Sequence, residues 1–115
     1  MNSLKLKFRL ADQKPLAMAK GINSLPLGLE KVMINVVELE RGSMIPLHRH
    51  PEEQISLIIS GELDFELEGE KFKLGPGDGL LIPADRPHQA KALKKTLAYD
   101  CFSPPRRDYL ERIRK

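Results

Sequence analysis

The chain has 115 residues, 41% hydrophobic and 30% charged, a length for one compact domain and a composition far from disordered or fibrous chains. Ile55–Ile59 is its most apolar short stretch, far below the roughly 20 residues of a membrane span, so no membrane partner is expected. Nineteen Lys and Arg against sixteen Asp and Glu leave a net charge of +3, but five of the basic residues, Arg106, Arg107, Arg112, Arg114 and Lys115, fall in the last ten positions. With no Trp to stack bases, this reads as a basic tail, and nucleic acid is not an expected partner.

Eight Gly and nine Pro punctuate short runs that alternate apolar and polar residues, the rhythm of strands rather than long helices. Leu4–Leu10 alternates throughout and reads as an edge strand guarded by its lysines. The same opening lacks the unbroken apolar segment of a secretory signal, which points to the cytoplasm. Residues 11–30 carry less pattern. Val32–Glu40 is rich in β-branched residues and closes at the turn Arg41-Gly42-Ser43. Gln54–Ser60 ends at Gly61, and Leu63–Glu68 is expected to return beside it as a hairpin. Further strands are expected at Lys71–Leu74, Gly79–Ile82, His88–Ala92 and Thr96–Ser103, and a short helix over Arg107–Lys115. About nine strands in one small domain imply an all-β sandwich or barrel, whose closure hides strand edges.

The three histidines form one pattern. In His48-Arg49-His50 an extended chain turns both imidazoles to one side, a chelating geometry. Gln54 opens the next strand with an amide oxygen, and His88 follows the turn built by Pro83 and Pro87. Three imidazoles and one oxygen suit a divalent transition metal with positions left open for substrate or water. Such donors accept manganese, iron, nickel, copper or zinc, so they do not choose among them. The plain alternative is that these are ordinary satisfied histidines.

With glycine and proline included, Gly42-x5-His48-x-His50-x3-Gln54-x6-Gly61 followed by Gly77-x5-Pro83-x-Asp85-x2-His88 resembles the two signature motifs of the cupin superfamily. The resemblance spans about residues 32–102. It implies one cupin domain over 1–115, a double-stranded β-helix or jelly-roll barrel with a metal in its mouth, often as a homodimer. The first motif usually carries Glu where this chain has Gln54. Glu53, one residue earlier, would point away from that side, so Gln54 is the expected ligand and Glu53 the alternative. The second motif often carries Gly and Asn where this chain has Asp85 and Ala92. A neutral amide leaves the charge of the metal uncompensated, which suits an anionic substrate and Lewis-acid chemistry.

The closing strand adds a second pattern. Asp100 and Phe102 share one face, and Asp100-x-Phe102-x3-Arg106 within Phe-Ser-Pro-Pro-Arg-x-Asp-Tyr looks like the end of the small cupins that include the sugar uronate lyases of pectin and alginate breakdown. Those enzymes convert 4,5-unsaturated monouronates into linear keto forms. The resemblance implies Asp100 as acid/base, Arg106 as the partner of a sugar carboxylate, and Phe102 as a wall of the pocket. Set against these are a strand-end acid, a member of the basic tail, and core packing. Cys101, on the face opposite Asp100, is expected to be packed and inert, and a lone cysteine makes no internal disulfide. The function expected is a metal-dependent lyase or isomerase acting on a small anionic sugar. The rivals are an iron-dependent dioxygenase and a non-catalytic binder of a small acid. Leu4–Leu10 offers an edge for pairing with a second subunit.

Overall fold

A computed structural model describes residues 6–113. Among them are ten strands: β1 (Leu16–Ala19), β2 (Ile22–Gly28), β3 (Met33–Leu39), β4 (Met44–His48), β5 (Glu53–Ser60), β6 (Leu63–Leu67), β7 (Glu70–Leu74), β8 (Gly79–Ile82), β9 (His88–Ala92) and β10 (Thr96–Ser103). One helix, α1 (Arg107–Ile113), follows. Arg114 and Lys115, the end of the expected helix, lie outside the described residues. The fold is all-β, as expected. A six-stranded sheet in the order β1-β2-β3-β10-β5-β8 faces a four-stranded sheet in the order β4-β9-β6-β7, and every pairing is antiparallel.

Period-two alternation drives the core. On β5, Gln54, Ser56 and Ile58 turn inward while Ile55, Leu57 and Ile59 turn out. Between the sheets, Ile58, Leu39, Leu63, Phe65, Leu74 and Ile82 form one buried apolar cluster. A second cluster, Met33, Phe102 and Leu110, fastens α1 to the barrel. Gly28 makes room for it, because a β-carbon there would lie 2.7 Å from Leu110 Cδ1.

Three expectations are corrected. Leu4 and Lys5 lie outside the described residues, and Leu6–Arg9 is not a strand; Leu10 starts a single 3-10 turn through Asp12. Leu6 and Phe8 remain more than half exposed, so the alternation there has no apolar layer to bury and no strand forms. The N-terminal strands lie instead in the weakly patterned stretch, where β2 pairs with β3 from Ile22↔Leu39 to Gly28↔Met33. Pro26 masks β2 in the sequence. The structure tolerates it because β1 covers only Ile22–Ser24, leaving β2 an edge at Pro26. Finally, β5 and β6 are not a hairpin. β5 pairs with β10 and β8, and β6 with β7 and β9. At the corner between them, Gly61 has φ +95 and sits against the Lys95 carbonyl and Thr96 with no space for a side chain. The chain therefore steps from one sheet to the other.

Candidate functional site

The two sheets contribute opposite walls of one cavity. From the four-stranded sheet come His48, the last residue of β4, and His88, the first of β9, directly paired across the strands. From the six-stranded sheet come Gln54 on β5 and, opposite it on β10, Phe102, with Asp100 two residues earlier facing Ser56. His50 is not on a strand, contrary to the extended run expected for His48–His50. It lies two residues past the end of β4, and its carbonyl accepts the N–H of Asp85 (2.8 Å). This bond ties the first motif to the second and closes the cluster. Ligating atoms of His48, His50 and His88 lie within 4.8 Å of one another.

Backbone carbonyls set the tautomers. Nδ1 of His48 donates to Pro46 O (2.8 Å), that of His50 to Glu52 O (3.0 Å) and that of His88 to Arg86 O (2.8 Å). A carbonyl can only accept, so each proton sits on Nδ1. Burial, the largest influence, lowers the pKa of His50 and holds that of His88 down to about 4, which favours neutral rings. The Nε2 of His50 and that of His88 then each carry a lone pair. His88 Nε2 is buried with no hydrogen-bond partner. Gln54 donates its amide N–H to Ser56 Oγ (2.8 Å), which turns its oxygen to His50 Nε2 at 3.0 Å. Two lone pairs facing each other repel unless a cation lies between. Donors sharing an ion at ~2.1 Å are about 3 Å apart, so the residues present fit a divalent metal.

Asp100 enters the same cavity. Burial pushes its carboxyl up to about 6, while hydrogen bonds with Ser56 and Gln54 pull the other way. Arg106 stands between β10 and α1 with its side chain 14% exposed. Its Nε and Nη2 donate to Asp108 Oδ1 (3.3 Å) and Oδ2 (3.1 Å). Its guanidinium carbon lies 4.4 Å from the centroid of the Tyr109 ring and 5.6 Å from that of Phe102. Phe102 also meets His50 edge to face at 5.6 Å, so it is both core and cavity wall.

His48, Gln54, His88, Asp100, Phe102 and Arg106 all line this cavity, with His50 buried behind them. Glu53 is exposed and faces away from Gln54. Sequence reasoning missed Glu52, Ser56 and Tyr109. Ser56 was legible as the residue two past Gln54 on the same strand face. Glu52 stands in a loop, where period two says nothing of direction. Tyr109 reaches the mouth only because α1 folds back over it.

Two antiparallel sheets enclosing a histidine cluster in their shared mouth define a small jelly-roll barrel. Residues 35–99 match the Cupin domain family, and the chain belongs to it. KdgF from Halomonas sp. has a structure that superposes with a TM-score of 0.85 at 32% identity, over 89% of this chain and 96% of that one. The pectin degradation protein KdgF of Dickeya dadantii is 29% identical over 83 residues, 70% of this chain and 76% of that protein. The dimethylsulfoniopropionate lyase DddQ of Ruegeria pomeroyi is 36% identical over 67 residues, 57% of this chain and 33% of DddQ. This chain therefore matches about a third of the length of DddQ. Among the described residues no helix is long and apolar enough to cross a membrane.

Proposed function

We propose that this protein is a metal-dependent lyase or isomerase that opens the ring of a small anionic sugar, a 4,5-unsaturated monouronate. The observation that carries the reading is the closeness of three imidazoles, one amide oxygen, one buried carboxyl and one guanidinium at a single cavity. The nearly full-length likeness to KdgF from Halomonas sp. supports it.

His48, His50, Gln54 and His88 would hold one divalent transition metal, among them zinc, nickel, manganese, iron or copper. When bound, the ion supplies Lewis acidity toward substrate oxygens. Arg106 pairs the sugar carboxylate, its plane fixed by Tyr109 and Phe102. Asp100 takes the proton of the ring hydroxyl as the ring C–O bond breaks, leaving a carbonyl and an enolate. The neighbouring enol carbon then receives a proton, so the product is an isomer of the substrate. Phe102 and the apolar floor keep water from the reacting atoms.

Within this reading the substrate is a small anionic molecule, the chain acts in the cytoplasm, and it works as a homodimer. The support for self-association moves from Leu4–Leu10 to the outer face of the six-stranded sheet. Ile55, Leu57, Ile59 and Leu81 are exposed there beside Leu97 and Tyr99. This apolar strip, bordered by Glu38 and Glu53, matches its own copy across a two-fold axis.

Replacing Asp100 tests the chemistry. Asp100→Asn is expected to slow loss of the unsaturated-uronate absorbance by about 100-fold or more, with metal content measured by elemental analysis unchanged. An unaltered rate removes Asp100 from the mechanism.

A further inference from the structure

Glu52 lies between the histidine cluster and Arg106. Its Oε1 is 3.5 Å from His50 Nδ1 and 3.9 Å from Arg106 Nε, and it is buried with no hydrogen-bond partner among the described residues. A carboxylate oxygen cut off from water is costly unless positive charge faces it. Arg106 answers only part of that need, since its Nε and Nη2 already donate to Asp108. The other neighbour is the imidazole of His50. All three histidines give their Nδ1 proton to a backbone carbonyl, but only His50 also has a carboxylate behind that proton.

We infer that Glu52 is the counter-charge of the metal centre, a positioning residue that acts on the ion through the His50 ring. The inference rests on the metal site proposed above. Gln54 donates a neutral oxygen, so the expected ligand set carries no negative charge, and Glu52 restores one unit on the far side of an imidazole. The Glu52 carbonyl holds the ring through Nδ1–H, and the charge of the carboxylate 3.5 Å from Nδ1 makes Nε2 the stronger donor. The position also separates two demands. A glutamate at position 54 would cancel charge on the side where an anion must approach, whereas Glu52 stabilises the ion from behind and leaves that side positive.

Nickel(II) affinity of the full chain, read by competition with a coloured chelator, tests this for wild type, Glu52→Gln and Glu53→Gln. Glu53 is exposed and turned outward, so its substitution makes the same change in net charge away from the ring. Glu52→Gln is expected to weaken binding 10- to 100-fold, in the range for lost partners of metal-bound histidines, and Glu53→Gln to leave it unchanged. Gln54→Glu is expected to strengthen binding at least tenfold more in the Glu52→Gln background than in wild type, a coupling that no purely structural role of Glu52 would produce. Glu52→Ala is a second neutral replacement should the glutamine variant not fold, and melting of the metal-free chains reads folding separately. Equal affinities for Glu52→Gln and wild type overturn the inference, as do equal losses for Glu52→Gln and Glu53→Gln. A wild-type chain that binds neither nickel nor zinc overturns the metal site itself.

Discussion

Single protons decide the character of the cavity. Had any of the three Nδ1 atoms faced solvent, its ring could carry the proton on either nitrogen; the carbonyls of Pro46, Glu52 and Arg86 remove that freedom. The same attention to one residue separates Asp100 from its neighbour Cys101. The carboxyl faces inward and the thiol outward on β10, and Cys101 is half-buried. Burial, helped by the Asp100 charge, raises the thiol pKa, so at any given pH less of it is thiolate than in a free cysteine. Labelling with a disulfide reagent at pH 8 is expected to run several-fold slower than for free cysteine and to accelerate as pH rises further. Labelling at the free-cysteine rate contradicts the inert role.

The helix is the element on which the mouth depends. α1 is only seven residues long, too short to persist alone in water. Leu110, buried with Met33 and Phe102, fastens it, and Tyr109 and the preceding Arg106 follow from that anchorage. Leu110→Ala is expected to cost about 2–5 kcal/mol in denaturant unfolding, as for other buried leucines. It also frees the guanidinium, so KM for the anionic substrate rises more than kcat falls. A stability loss with KM unchanged separates α1 from the site. The β5–β6 corner teaches the complementary point. Gln54–Ser60 and Leu63–Glu68 have hairpin spacing in sequence, but local pattern cannot report that Lys95 and Thr96 crowd Gly61 and send the chain across to the other sheet.

For the molecule as a whole, the unresolved demand is the apolar outer face of the six-stranded sheet. Leu57, in the middle of β5 and 42% exposed, lies near the centre of that face, opposite Tyr99 on β10. Leu57→Lys is expected to convert a dimer into a monomer in sedimentation velocity while leaving metal content intact, because the side chain points away from the cavity. A wild-type chain that sediments as a monomer at tens of micromolar removes the homodimer from the proposal.

Order along the chain was enough for the all-β class, most strands from Val32 onward, the short helix and the histidines, Gln54, Asp100, Phe102 and Arg106 as candidates for one site. Those features depend on period-two burial and on turn residues, which are local. What only the folded chain decided are the pairings: β2 beside β3 despite Pro26, β5 and β6 in different sheets, and no strand over Leu6–Arg9. The same holds for the direction of Glu52 and the arrival of Tyr109. Each depends on which distant segment lies alongside and excludes water. Alternation records a side chain's preference for a face, but it does not record which partner supplies that face.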